Sequence, residues 1–89
     1  MIKQIFIVAE TLEEFRYLTR KHNNLSIELK YVQNPNMLRG YRGIRVEFTE
    51  RGFRRDDIRE IYLNIIMANI GTQFENQSRA LKMELLLYA

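Results

Sequence analysis

An α/β fold is expected for this chain: a three-stranded, mostly parallel sheet in the spatial order 2-1-3, a Rossmann-like half, with two to three helices around it. Three observations predict it. The stretch QIFIVA is nearly unbroken apolar, with Ile5, Phe6, Ile7 and Val8 in succession, which is how a strand reads when both of its faces are covered. SIELKYV and GIRVEFTE each alternate instead, setting Ile27, Leu29 and Tyr31 against Glu28 and Lys30, and Ile44, Val46 and Phe48 against Arg45, Glu47 and Thr49; both read as half-exposed strands. Helical periodicity follows the first and the third of these stretches. A strand covered on both faces belongs between two that are not, and short right-handed crossovers then give the order 2-1-3. An antiparallel arrangement of the second and third strands is the alternative.

The elements follow in order. After the first strand, Thr11 and Glu14 have capping-box spacing, and Leu12, Phe15 and Leu18 recur at helical intervals until Asn23 and Asn24 stop the helix. The second strand leads into QNPNMLRGYRG, which contains the only proline and two of the four glycines. It is long for a hairpin and suits a crossover with one helical turn at Asn36 to Arg39. Beyond the third strand, Asp57 and Glu60 repeat the capping-box spacing, and DIREIYLNIIMANIG reads as the second long helix, ended by Gly71 in a left-handed cap. A third helix is expected from Asn76 to Tyr88, within a C-terminal segment 72–89 used for packing or self-association.

The second helix is apolar nearly all round. Ile58, Ile61, Tyr62 and Ile65 form one stripe; Leu63, Ile66, Met67 and Ile70 occupy the other side. One small sheet cannot bury both. Together with Leu81, Leu85, Leu86 and Tyr88 of the C-terminal segment, the second stripe makes more apolar surface than the fold can hide, so these residues are expected at an interface, most simply in a homodimer or higher oligomer. Folding of the C-terminal helix back over the stripe is the alternative.

Composition narrows the function. Eighty-nine residues make one domain, 1–89, and 46% hydrophobic with 28% charged residues is ordinary globular material. With no cysteine, disulfides, thiolate metal sites and a thiol nucleophile are excluded, and an intracellular, cytoplasmic setting is expected. No stretch approaches the eighteen apolar residues of a membrane span. The single histidine, His22, sits at the end of the first helix beside Lys21, where capping explains it, and no catalytic triad can be assembled around it. Glu13, Glu14, Asp56 and Asp57 lie in first turns, where carboxylates cap amides and complement the helix dipole. The turn after the first strand, AETLEE, offers two acids and no glycine, so it cannot cradle phosphate. No catalysis, cofactor or metal is expected; the crevice beside Glu10, Thr11, Thr49 and Glu50 is where an enzyme of this topology would work.

The segment RGYRGIRVEFTERGFRR holds six of the ten arginines. A strand of about five or six residues divides them into two clusters, Arg39 with Arg42 and Arg51 with Arg54 and Arg55, roughly 17 to 20 Å apart. Arg45 stands between them on the exposed strand face. As a nucleic-acid module, Arg39, Tyr41 and Arg42 would contact phosphate and stack a base, with Arg45 continuing along the sheet and Arg51, Arg54 and Arg55 forming the second cluster. As structure, Gly40 and Gly43 make the turn, Tyr41 packs on the sheet edge and the arginine stems cover apolar surface. The structural reading leads, and nucleic-acid binding is the alternative.

YVQNPNMLRGYRGIRVEF resembles the segment before and through the second acidic strand of phage packaging and helicase-type P-loop ATPases, in which an RG turn leads into the strand bearing the metal-binding acid. The likeness covers about twenty residues. Where that family has an aspartate–glutamate pair this chain has VEFTE, with Glu47 and Glu50 as the candidates for the acid, and no lysine-bearing phosphate loop is present. The resemblance implies shared topology and a small bacteriophage origin, without ATPase activity. The whole reading is a small accessory protein that binds another protein and itself.

Overall fold

The computed structural model describes residues 3–21 and 26–74. Among these residues three strands, β1 (Lys3–Val8), β2 (Ile27–Tyr31) and β3 (Arg45–Phe48), and two helices, α1 (Leu12–Arg20) and α2 (Ile58–Asn69), follow one another, with 3₁₀ turns at Pro35–Leu38 and Arg51–Arg54. The sheet has the order β2-β1-β3, and both pairings are parallel. This removes the antiparallel alternative.

Register explains why β1 had to be apolar throughout. Ile5, Ile7 and Ala9 point to the α1 side, where Phe15, Ile27, Leu29 and Tyr31 pack on them. Phe6 and Val8 point to the other side and join Val32, Leu38, Ile44, Val46, Ile61, Ile65 and Ala68 in the larger core under α2. Paired residues of neighbouring parallel strands share a face, so Leu29 and Tyr31 beside Ile5 and Ile7 place β2's apolar side toward α1, whereas Val46 and Phe48 beside Phe6 and Val8 place β3's toward α2. Each edge strand is thus covered on one face only, and on opposite faces. The bare faces carry charge pairs: Arg45 with Glu47 at 2.9 Å and Lys30 with Glu28 at 4.0 Å. Charges there discourage edge-to-edge pairing with another sheet.

Local chemistry follows the sequence with three differences. Thr11 caps α1 as expected, its Oγ1 accepting from Glu14 N–H at 3.1 Å, but the Glu14 carboxylate reaches one residue beyond the usual box and accepts from Glu10 N–H at 2.8 Å. The crossover turn begins one residue early, at Pro35, because Asn34 Oδ1 accepts from Met37 N–H at 3.1 Å and proline suits the first helical position. Asp57 makes no side-chain cap for α2; its carboxylate is held by Arg55. Gly71 ends the helix with φ of +73°, the left-handed conformation expected of it. Residues 72–74 are turn and bend. The helix expected from Asn76 to Tyr88, with Leu81, Leu85, Leu86 and Tyr88, and also His22, lies outside the described residues.

The C-terminal end of α2 is fastened to the start of β3. Asn69, only 2% exposed, accepts through Oδ1 from Ile44 N–H at 2.8 Å, and Gly43 N–H donates to the Ala68 carbonyl at 2.8 Å. Replacing Asn69 by leucine leaves the Ile44 amide buried and unpaired, so Asn69→Leu is expected to cost about 1–3 kcal/mol in urea-induced unfolding. A change below about 0.5 kcal/mol would show that another group satisfies that amide.

Candidate functional site

Open α/β sheets bind ligands beyond the C-terminal ends of their strands, where the chain order reverses; in this sheet that point lies between β1 and β3. Here the chain fills it. Thr49, just after β3, donates its N–H to the Val8 carbonyl at 3.1 Å, and its hydroxyl donates to Glu14 Oε1 at 3.0 Å while accepting from Gly52 N–H at 2.9 Å. The Arg51–Arg54 turn therefore sits directly on the end of β1. A Cβ at Gly52 would stand 2.0 Å from the Val8 carbonyl oxygen, so only glycine allows the approach. The four crevice residues are thereby split: Thr49 and the neighbouring Glu14 are held in the network, while Glu10, Thr11 and Glu50 lie exposed around it.

Arg55 closes the β1/β2 side of the same end. Its side chain is 8% exposed. Nε and Nη2 each bond one Asp57 oxygen at 2.9 Å; Nη2 also donates to the Gln33 carbonyl at 3.0 Å, and Nη1 to the Ala9 carbonyl at 3.1 Å and to the Val32 carbonyl. Its plane lies over the Tyr31 ring, 5.7 Å to the centroid. The guanidinium thus ties three carbonyls from two strand ends to the start of α2. Arg55 faces inward and is fully engaged, so it does not stand with Arg51 and Arg54, which are exposed.

At the other end of the sheet the remaining arginines take separate places. Arg39 is exposed beside Gly40. Arg42 Nη2 approaches the Ile70 carbonyl at 3.4 Å, complementing the C-terminal end of α2. Tyr41 meets Phe6 edge-on, ring centroids 5.0 Å apart, yet remains 40% exposed. Glu47, the candidate acid of the strand, is exposed and bound to Arg45.

Two grooves are built from these parts. One, of about 610 Å³, runs between α2 and the Pro35–Leu38 turn, lined by Leu38, Arg39, Tyr41, Leu63, Asn64 and Met67 among others. Its helix wall includes Leu63 and Met67 of the second stripe read from the sequence, 58% and 71% exposed; Ile70, 53% exposed, and Ile66, half-buried, complete that stripe outside the groove lining. On the opposite side of α2, Ile61 and Ile65 are buried, with Ile58 and Tyr62 half-buried beside them. Burial pushes the Tyr62 phenol above its ordinary pKa, so it stays protonated. The other groove, of about 710 Å³, opens where β1 and β3 begin, and Lys3 lines it with Arg42, Arg45 and Tyr41.

Sequence reasoning missed Lys3, and it missed the inward turn of Arg55. The signal for Lys3 was topological: once β1 and β3 are parallel and Ile5 pairs with Arg45, the first residue of β1 must lie at the same sheet end as the first residue of β3. Among the described residues no group of three His, Asp or Glu could hold a metal ion, and no helix is long and apolar enough to cross a membrane. No protein-family model, curated protein or solved structure matches the chain.

Proposed function

We propose that this chain is a small non-catalytic accessory protein that acts by binding protein, in the first instance a second copy of itself, through the outer face of α2. The observation that carries this reading is the exposed stripe Leu63, Met67 and Ile70 on a helix whose opposite side is already committed to the core. These residues recur at intervals of four and three, so they form one continuous ridge. A twofold axis beside such a ridge sets it against itself and buries both copies at once, and Tyr41 and Arg39 across the groove suit the rim of a contact rich in aromatic and arginine side chains. The non-catalytic part is supported by the blocked crevice: the place where this topology receives a small ligand is occupied by Gly52 and Thr49. A cytoplasmic setting and a place among small bacteriophage products belong to the same proposal; the second rests on the resemblance of residues 31–48.

Sedimentation velocity tests it. The intact chain is expected to sediment as a dimer at about 50 µM, in the micromolar range of modest interfaces. Leu63→Glu with Met67→Glu is expected to give a monomer with an unchanged circular dichroism spectrum, because exposed positions shift stability by about 0.5 kcal/mol or less. A monomeric intact chain at that concentration would overturn self-association.

A further inference from the structure

We infer that the groove at the N-terminal end of the sheet is a binding site for single-stranded nucleic acid. The inference shares Tyr41 with the rim of the α2 groove but otherwise stands on residues away from the α2 ridge, and it goes beyond the protein-binding reading.

The groove exists because of register. Pairing of β1 with β3 begins at Ile5 and Arg45, so Lys3 and Gln4 extend past the start of β3 and leave a notch beside the incoming loop Tyr41–Ile44. Lys3, Gln4, Ile5 and Ile27 line it from the sheet, Tyr41, Arg42 and Arg45 from the loop and β3, and Gln73 with Phe74 from beyond α2. Among the described residues the lining contains three cations and no carboxylate. That is a strong local bias in a chain whose 14 basic residues are nearly balanced by 11 acidic ones. Among the described residues, the acids beside the groove on the sheet are Glu28, the strand partner of Gln4, which lies 4.0 Å from Lys30, and Glu47, paired with Arg45; such exposed pairs hold weakly and yield readily to a phosphate.

The chemistry of the lining distinguishes a nucleic acid from a bare polyanion. Lys3, Arg42 and Arg45 supply point and forked donors for phosphate oxygens. Tyr41, held edge-on against Phe6 and still 40% exposed, offers a fixed ring face on which a base can stack without first losing side-chain freedom. Gln4 and Gln73 add amides that hydrogen-bond base edges or sugars. A duplex presents its bases stacked on one another, so the ring favours an unpaired strand.

Fluorescence anisotropy with a labelled oligothymidylate and the full chain provides the test. Three neutralised phosphates give an expected slope of about −2 for log affinity against log salt concentration. Lys3→Ala with Arg45→Ala is expected to reduce that slope to about −0.7, and Tyr41→Ala to weaken binding about tenfold while Tyr41→Phe restores it. Arg51→Ala with Arg54→Ala, at the far end of β3, is expected to change affinity less than about twofold. Equal losses from the two arginine-bearing pairs would mean diffuse attraction by the whole surface and would overturn the site. So would binding of inorganic polyphosphate or duplex DNA as tight as that of the single strand, or no binding of the single strand at about 100 µM protein in low salt.

Discussion

Arg55→Ala is expected to lower the unfolding free energy by about 3–5 kcal/mol, enough to leave a domain of this size marginally stable. The side chain is nearly buried, and every N–H of its guanidinium meets an acceptor: two Asp57 oxygens and the carbonyls of Ala9, Val32 and Gln33. Truncation leaves those carbonyls short of a donor and Asp57 without its counter-charge. Arg55→Lys should recover little of the loss, since an ammonium offers three donors from one point and cannot span five acceptors arranged around a plane. Adding Asp57→Ala to Arg55→Ala should recover part of it, because the uncompensated carboxylate is then gone. Urea-induced unfolding measures all three variants. With the guanidinium out of solvent, the loss should be the same at low and high salt. A cost below about 1 kcal/mol for the alanine variant would mean that water replaces the guanidinium and that the strand ends do not depend on it.

Gly52→Ala should be nearly as costly although it adds one methyl group. Its Cβ would lie 2.0 Å from the Val8 oxygen and 2.9 Å from the Val8 carbonyl carbon, and both are backbone atoms at the end of the central strand, with no freedom to rotate away. The Arg51–Arg54 turn must lift, breaking the Gly52–Thr49 bonds and loosening the Thr49 hydroxyl from Glu14. We expect a loss of about 3 kcal/mol, read as a fall in Tm of roughly 15 °C for a domain of this length. Gly40→Ala is the control. Its φ of +86° strains an alanine, but nothing lies within 4 Å of the added carbon, so about 1 kcal/mol should be lost. If the two alanine variants melt together, the close approach at Gly52 is not what seals the end of β1.

The candidate sites were legible in part. The α2 ridge could be read directly, because Leu63, Met67 and Ile70 fall opposite Ile61 and Ile65 on a helix of period 3.6, and a three-stranded sheet has no second surface to offer them. The basic groove was half legible: Tyr41, Arg42 and Arg45 are close in sequence, but Lys3 joins them only through strand pairing. Arg55 was read as one of a cluster with Arg51 and Arg54 because the three are neighbours along the chain. Its acceptors are 46, 23 and 22 residues away at Ala9, Val32 and Gln33, and no local pattern encodes a contact of that range.

Periodicity and turn chemistry, by themselves, determined the sheet order, the central place of β1, the caps at Thr11 and Gly71 and the two-sided character of α2. These depend on how apolar side chains repeat along a few residues, and burial of such surface dominates the free energy of folding. Only the tertiary structure decided that β2 and β3 turn their apolar sides in opposite directions, that the expected ligand crevice is closed by Gly52, and that one arginine among six is buried. Each of these is set by where separate segments meet. A glycine or an arginine carries no periodic signal of its own, so its role appears only when the backbone it touches is in place.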